Sequence, residues 1–220
     1  MKSLFIDREF AYDGSQLRSL FAYLDHGVQG TSIVSWIGAC DISNEHMIDG
    51  EDLLAGETIA GSRMVHFIIE RFETQLFGAV ALQRLMAAIV LDLVRERVAK
   101  ALPGAIAAQA DAGVGASPSA KTAASAAGAH AKLIASDIRR DGDDIFVGEG
   151  KLSISIATVT PVSALIHFAV NVSNKGTPVK TASLEDLGLD AREFAKEVMS
   201  RVVREVESME TATVKVRWAK

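Results

Sequence analysis

The most informative stretch of the sequence runs from Asp144 to Ala157 and reads DIFVGEGKLSISIA, followed by IHFAVNV at 166–172. Aliphatic and aromatic residues fill short runs in it, and a Gly-Glu-Gly turn at 148–150 separates two of these runs. Such punctuation is typical of neighbouring antiparallel strands joined by tight turns. The stretch therefore predicts a meander whose main strands lie at 145–147, 151–159 and 164–172.

Two long amphipathic helices flank this meander in the sequence. The first is predicted over 76–102, where Pro103 and Gly104 end it, and the second follows Asp190, which forms a capping box with Glu193. Each helix carries one apolar stripe that must be buried against another element. The stripes consist of Ala79, Leu82, Met86, Ile89, Val90, Leu93 and Val94 in the first helix, and of Ala191, Phe194, Ala195, Val198, Met199, Val202, Val203 and Val206 in the second.

Hydrophobic runs and breakers assign the remaining elements. They predict strands at 4–6, 32–37, 64–72 and 213–218, a helix at 16–24 capped by Ser15, and a loop at 40–61. The fold class that follows is α/β (α+β), with a mixed or antiparallel central sheet and long amphipathic helices. We expect a single domain over 1–220, from which the Ala-, Gly- and Ser-rich residues 104–131 form a surface excursion.

Composition argues against several classes of partner. The net charge is -5, the pI is about 5.6, and the basic residues are scattered, so we expect no nucleic acid and no anionic membrane as partners. No uncharged apolar run is long enough to cross a bilayer, and no signal peptide is evident. Cys40 is the single cysteine and is expected to be a small buried residue rather than a nucleophile. A cytoplasmic location fits these features.

The stretch around Lys151 resembles the lipoyl and biotin transferases, which include cofactor ligases and octanoyltransferases. The similarity lies in the order and spacing of the GEGKLSISIA strand, the IHFAVNV strand, Thr181-Ala-Ser-Leu and Leu187-Gly188. It covers roughly residues 76–188. The resemblance implies a lipoyl/biotin protein ligase-like fold.

Over nearly its full length, the chain is also identified as a member of an uncharacterised prokaryotic family, domain of unknown function 366. This resemblance names a family and implies no activity. The motifs that carry it are DGSQLRSLFAY at 13–23, SIVSWIGACD at 32–41, EHM at 45–47, KLSISIAT at 151–158 and GTPVKT at 176–181.

Lys151 is the candidate catalytic residue. The transferase resemblance implies that its ammonium holds an acyl or acyl-adenylate carbonyl, because a cation stabilises a developing oxyanion. Without the resemblance, a lysine that follows a glycine at a strand start is equally an exposed turn residue. The octanoyltransferase nucleophile is a cysteine, but the turn at 176–181 contains none, which excludes a thioester there. The Gly- and Arg-rich adenylate loop of the ligases has no counterpart in residues 1–75, which argues against ATP use and leaves the cofactor unknown.

Four further side chains are candidates for substrate binding. Ser153 and Ser155 share the face of Lys151 if the strand is regular, and His167 and Asn171 face the same way on the next strand. Asn171 matches the family's asparagine, whereas the family's histidine lies one residue further from it than His167 does. The alternatives stay open, because two strand serines also form a solvated face and a strand histidine can be structural.

A metal site would need residues from two segments. His66 and Glu70 are four apart in a predicted strand, and His46 lies beside Glu45 and Asp49. These side chains are weak candidate ligands for a hard or borderline metal, and only the tertiary fold could bring them together.

Three hypotheses for the function follow. The first is a transferase-like enzyme acting on an acyl or carboxylate-bearing small molecule held by Lys151, which predicts a deep apolar cleft that buries the lysine amine. The second is a non-catalytic small-molecule binding protein on the same fold. The third is a structural or assembly subunit, which predicts an exposed lysine and a flat apolar patch. Pairing of the terminal edge strand would permit a homodimer.

Overall fold

A five-stranded mixed sheet lies at the centre of the computed structural model, which describes residues 1–111, 137–175 and 179–219. Its strands are β1 (Lys2–Phe5), β2 (Ser32–Ile42), β3 (Ile59–Arg71), β7 (Ser153–Val159) and β8 (Ala164–Asn171). Their order across the sheet is β1-β2-β3-β8-β7. β1 pairs with β2 in parallel, and all other neighbours are antiparallel, which confirms the predicted fold class.

A smaller antiparallel sheet precedes β7 in the chain. It consists of β4 (Ile138–Asp141), β5 (Asp144–Val147) and β6 (Gly150–Lys151). The predicted strand at 151–159 is therefore two strands, which separate at Leu152. The Leu152 side chain is fully buried in the main core, so this residue carries the chain from one sheet to the other.

Two long helices cover one face of the five-stranded sheet. They are α3 (Leu76–Asp111) and α4 (Ala191–Thr213), which follow the short helices α1 (Phe21–His26) and α2 (Gly50–Ala55). The side chain of Asp190 accepts a hydrogen bond from the Glu193 N–H at 2.8 Å, which confirms the predicted N-cap of α4. The strand residues on this face alternate with period two and include Ile33, Val65, Phe67, Ile69, Ile166, Phe168 and Val170.

The opposite face of the sheet is covered by chain segments near the N-terminus rather than by long helices. Its buried residues include Tyr12, Phe21, Trp36, Met64 and Ile68. His66 and Glu70 lie on this face as well, because they alternate with the helix-facing residues of β3. The buried imidazole of His66 and the buried carboxyl group of Glu70 therefore lie on the face opposite the long helices.

The boundaries of two predicted elements are wrong. β2 continues through Gly38 to Ile42 with an irregularity between Gly38 and Cys40, and β3 starts at Ile59, so the predicted loop at 40–61 holds strand ends and α2. Gly38 lies inside the strand and not at its end. The position requires glycine, because a Cβ there would meet the Phe10 carbonyl oxygen at 1.7 Å. The residue marks a close approach of two backbones rather than a strand end.

Two helix predictions also need correction. α1 begins at Phe21 and not at Gln16, because the side chain of Ser15 donates to Asp13 at 2.6 Å instead of capping a helix. α3 continues past Pro103 and Gly104 to Asp111, where the following alanines favour a helix. Most of the predicted excursion at 104–131 lies outside the described residues.

The predicted terminal strand is absent from the described residues. The chain leaves α4 at Thr213, and no strand follows up to Ala219. Val214, Val216 and Trp218 are 84%, 76% and 92% exposed, so the alternation of apolar residues does not reflect half-burial. The described residues therefore contain no terminal strand through which two copies of the chain could pair.

The first part of α3, Leu76–Lys100, is long and apolar enough to span a membrane by length and composition alone. The segment is not an uncharged run, because Arg84, Asp92 and Arg95 lie within it. Half of its most apolar 18-residue window is buried inside the structure, and Met86, Val90 and Leu93 belong to the main core. These are the properties of a core helix in a soluble α/β protein.

Candidate functional site

A cleft of about 830 Å³ opens on the sheet face opposite the long helices. One wall is formed by β3, β7 and β8, and the other by residues 46–58, which include α2. Its size is in the range of small-molecule sites. The apolar part of the wall includes Leu17, Ile42, Met47, Ile59, Ile154 and Ile156, and the carboxylates at the rim are Asp49, Glu51, Asp52, Glu57, Asp143 and Asp144.

Lys151 lines this cleft. Its Nζ lies 2.8 Å from Asp144 Oδ2, and the side chains of the two residues are 35% and 30% exposed. The enzyme hypothesis predicts a buried lysine and the scaffold hypothesis an exposed one. The observed exposure of Lys151 lies between these two predictions. Its ammonium has a carboxylate partner but keeps access to the cleft.

The backbone of Lys151 is held by the segment at 180–182. Lys151 donates its N–H to the Lys180 carbonyl at 3.2 Å, and Ala182 donates its N–H to the Lys151 carbonyl at 3.0 Å. The preceding Gly150 makes this crossing possible, because a Cβ there would meet the backbone of Thr181 and Ala182 at 2.9 Å. The glycine before the lysine is thus required by a tertiary contact.

Asn171 fixes the same crossing from β8. Its Nδ2 donates to the Lys151 carbonyl at 3.0 Å and to the Ala182 carbonyl at 3.2 Å. The residue is 5% exposed and also lines the cleft. Since both amide N–H groups have backbone partners, Asn171 positions Lys151, and only its side-chain oxygen remains to bind a ligand.

The two candidate serines do not share the face of Lys151. The strand breaks at Leu152, and Ser153 then faces the helices, where its Oγ accepts a hydrogen bond from Ile145 N–H at 3.0 Å. Ser155 reaches the edge of the cleft. Its Oγ donates a hydrogen bond to Asp143 Oδ2 at 2.5 Å and accepts one from Gln83 Nε2 at 2.8 Å. Ser153 is therefore a structural residue, and Ser155 supports the acidic rim.

His167 lines the cleft from β8 and is buried in a stack of rings. Its ring centroid lies 3.7 Å from that of Tyr12 and 5.4 Å from that of His66, which in turn lies 5.3 Å from Trp36. His167 Nε2 is 3.1 Å from His66 Nδ1, and His66 Nε2 is 3.2 Å from the Gly38 carbonyl oxygen. Burial lowers the pKa of His66 to about 4, and burial together with His66 holds the pKa of His167 well below its ordinary value.

Carboxylates dominate the electrostatics of the rim. Burial and the neighbouring Asp49 raise the pKa of Asp52, while Lys151 opposes the shift. Lys151 is the single lysine among the described residues that line the cleft, against six carboxylates. The rim therefore disfavours a ligand that brings further negative charge without its own cation.

The weak metal candidates do not form a cluster. His66 bonds His167 and Gly38, while Glu70 accepts hydrogen bonds from Leu20 N–H and Ser163 Oγ, each at 2.8 Å. His46 lies at the cleft. Among the described ranges, no three His, Cys, Asp or Glu side chains are close enough together to hold a metal ion.

Cys40 is buried in β2, 2% exposed, as the sequence predicts for a small packing residue. Burial raises the pKa of its thiol to about 12, so the thiolate is scarce at neutral pH. It does not line the cleft.

Sequence reasoning missed Tyr12 and the acidic rim. Tyr12 is 2% exposed and lies against His167, although the two residues are far apart in sequence and no local pattern joins them. The rim had a visible signal, since the segment from Asp49 to Glu57, which is predicted to be a loop, contains four acidic residues including these two.

Membership of a family follows from a comparison of sequences. A family described as a domain of unknown function, DUF366, matches residues 1–103 and 127–217. The chain belongs to this family. The membership agrees with the motifs at 13–23, 32–41 and 151–158.

Relatives of the DUF366 chain are similar over nearly its whole length. A solved protein of unknown function from Pyrococcus horikoshi is 35% identical, with a TM-score of 0.78 and coverage of 99% of this chain and 98% of that chain. An uncharacterised protein from Methanocaldococcus jannaschii is 25% identical over 217 residues, which are 96% of this chain and 81% of the relative. Neither relative has an assigned activity in its description.

The fold is shared with a biotin protein ligase. A mutant of the Aquifex aeolicus enzyme, in complex with biotin, superposes with a TM-score of 0.52 and 10% identity, covering 94% of the DUF366 chain and 70% of the ligase. At this identity the likeness shows the fold alone. It confirms the ligase-like fold that the strand around Lys151 implies.

Proposed function

We propose that this protein is a transferase-like enzyme that acts on an acyl or carboxylate-bearing small molecule bound in the cleft. The observation that carries the proposal is the position of Lys151, whose partly buried ammonium lies at a cleft with an apolar wall. An apolar chain packs against Ile154 and Ile156, and the ammonium binds the oxygen of the reacting group.

The charge of the rim favours a neutral acyl group over a free carboxylate. A free carboxylate has to compete with Asp144 for Lys151, and it also meets the field of Asp49, Asp52 and Glu57. The carbonyl oxygen of an ester, thioester or amide carries only a partial negative charge. It therefore needs less positive charge from Lys151 than a carboxylate does, and it adds no net charge to the cleft. Acyl esters and thioesters are therefore the first substrates to test.

A second candidate is a non-catalytic small-molecule binding protein. Two observations favour it: the sequence at 176–181 has no cysteine, and the Lys151 ammonium is already paired with Asp144 at 2.8 Å. The same cleft would then hold its ligand without turnover. Detection of a transferred or hydrolysed acyl product by mass spectrometry separates the two candidates.

The test measures the thermal midpoint of the purified protein with octanoate, lipoate, biotin, their coenzyme A or adenylate forms, ATP and divalent metals. A ligand at a hundred times its dissociation constant stabilises the fold by about 2.7 kcal/mol. We expect an acyl ligand to raise the midpoint of the native protein and to lose this effect in Lys151→Ala.

The matched control is Lys180→Ala, because Lys180 pairs with Glu149 in the open and is 72% exposed. This variant should keep the full ligand-induced shift. If no ligand raises the midpoint, or if both lysine variants respond like the native protein, the proposal is wrong.

The cellular setting is part of the proposal. We place the protein in the cytoplasm, without nucleic acid or membrane partners, because its net charge is -5 and its single cysteine is a buried thiol. A homodimer stays a prediction that sedimentation of the purified protein can check.

A further inference from the structure

The ring stack beneath the cleft contains two buried imidazoles whose protonation is set by their surroundings. His66 is fully buried, and His167 is 1% exposed. A neutral imidazole has one N–H donor and one acceptor nitrogen, and the neighbours decide which nitrogen carries the proton. Both rings are neutral at pH 7, because burial lowers the pKa of each.

A backbone carbonyl fixes the first tautomer. The Gly38 oxygen can only accept, so His66 Nε2, at 3.2 Å, carries the hydrogen. His66 Nδ1 is then an acceptor, and His167 Nε2 donates to it at 3.1 Å. The remaining nitrogen of His167, Nδ1, therefore carries an unprotonated lone pair.

Tyr12, whose ring stacks on that of His167 with the centroids 3.7 Å apart, supplies a hydroxyl group on the same wall of the cleft. Neither His167 Nδ1 nor the Tyr12 hydroxyl has a hydrogen-bond partner among the residues that the structure describes. In the same described part, the unpartnered polar side-chain atoms that are fully enclosed are His26 Nε2, Ser32 Oγ and Ser35 Oγ. The Tyr12 and His167 atoms are thus open to the cleft that both residues line.

We propose that His167 Nδ1 and the Tyr12 hydroxyl form a recognition site for a neutral ligand group that carries an N–H or O–H donor beside an acceptor, such as an amide or a lactam. His167 accepts from the ligand donor, and Tyr12 donates to the ligand acceptor. His66 is the positioning residue, since it determines which nitrogen of His167 faces the ligand. A charged group is excluded at this end because the buried rings provide no counter-ion.

The recognition site adds a second contact to the ligand of the proposed function. The position of the other end of that ligand, at Lys151, rests on the proposed function. His167 and Asn171 are four residues apart on β8, so the ring stack lies about 13 Å along the strand from the crossing that holds Lys151. The acyl carbonyl binds at Lys151, and the neutral polar group binds at His167 and Tyr12. The apolar wall between them accommodates the body of the molecule.

The first test is 15N NMR of the histidine rings at pH 7. We expect both His66 and His167 to be neutral, with the proton on Nε2 in each. In His66→Phe, no side chain at this position accepts from His167 Nε2, and we expect His167 to show a measurable fraction of the Nδ1–H tautomer. A merely structural role for His66 would leave the tautomer of His167 unchanged, and a charged or Nδ1–H His167 in the native protein would overturn the proposal.

The second test titrates the native protein with 2-piperidone and with N-methyl-2-piperidone, which lacks the donor. The His167 Nδ1 resonance should shift with 2-piperidone, and the methylated lactam should bind at least about tenfold more weakly. Tyr12→Phe keeps the stacked ring and should weaken 2-piperidone by about tenfold, while Lys180→Ala should have no effect. Equal binding of the two lactams, or no shift with either, would overturn the proposal.

The two experiments can contradict the recognition site and the proposed function independently of each other. If an acyl ligand stabilises the protein through Lys151 but the lactams are not distinguished, the recognition site is wrong and the proposed function stands. If the lactams are distinguished but no acyl ligand binds, the site stands and the assignment of the opposite end is wrong.

Discussion

The two faces of the five-stranded sheet differ in how they are covered. On the helix face, Phe168 and Val170 belong to a core of apolar side chains that also includes residues of α3 and α4. On the cleft face, the neighbouring His167 meets Tyr12 and His66, and the covering segments leave an opening. Alternate residues of β8 therefore have different roles. Those on one face pack in the apolar core, and those on the other face contribute to the polar pocket.

The difference shows where this fold can carry chemistry. The face closed by two helices is mainly apolar, and Ser153 on it already has a hydrogen-bond partner inside the protein. The cleft face holds buried histidines, a tyrosine and Lys151, and buried polar groups of this kind are costly unless they have partners or a function. We infer that this face keeps polar residues at the expense of stability.

The largest effect is expected from truncation on the helix face. Phe168→Ala removes a fully buried ring from the main core and should lower the free energy of unfolding by about 3–5 kcal/mol. Urea denaturation measures this loss. Ligand binding by the folded variant should be unaffected, and a loss below about 1 kcal/mol would contradict the assignment of this face as the stabilising core.

A smaller effect is expected where the two sheets meet beside the cleft. Gly150→Ala places a Cβ 2.9 Å from the backbone of Thr181 and Ala182 and should cost about 1–3 kcal/mol, while also displacing Lys151. Denaturation and the ligand-induced midpoint shift should both respond. The control is Gly148→Ala, where a Cβ meets only a side-chain atom, Asp137 Oδ2 at 3.2 Å, and the left-handed backbone costs about 1 kcal/mol. Equal behaviour of the two variants would contradict the role of the crossing.

The buried histidines predict a pH dependence. The pKa of His66 is lowered to about 4 in the folded protein, so the unfolded chain takes up the proton first as the pH falls below about 6.5. His66 alone should therefore lower the stability by about 2 kcal/mol between pH 7 and pH 5, and His167, whose pKa is also lowered, adds to this loss. Urea midpoints at both pH values measure it; His66→Gln should reduce the loss, and the exposed His46→Gln should not.

Much of the fold could be predicted because periodicity reports burial. The apolar stripe of α4 and the alternation in β3 and β8 each place a face of the element against the core. The same rule failed after Thr213, where Val214, Val216 and Trp218 alternate but contact no partner strand in the described residues. Alternation indicates a strand only when a surface is available to pair with it.

The candidate site was predictable in part. Lys151, His167 and Asn171 were found because a resemblance joined two strands that are adjacent in space. The break at Leu152 was not predictable, because Lys151, Ser153 and Ser155 continue one alternating pattern and only the crossing of 180–182 interrupts it. Tyr12 was missed for the same reason, since its contact with His167 spans most of the chain.

Both proposals require that a small molecule binds on the cleft face of the sheet and not on the helix face. Isoleucine methyl NMR tests it directly, because Ile154 and Ile156 line the cleft while Ile33, Ile69 and Ile166 lie in the core under the helices. With an acyl ligand that raises the thermal midpoint, we predict shifts of the first two methyl groups and little change in the other three. Comparable shifts on the helix face, or unchanged Ile154 and Ile156 methyl groups, would contradict the claim.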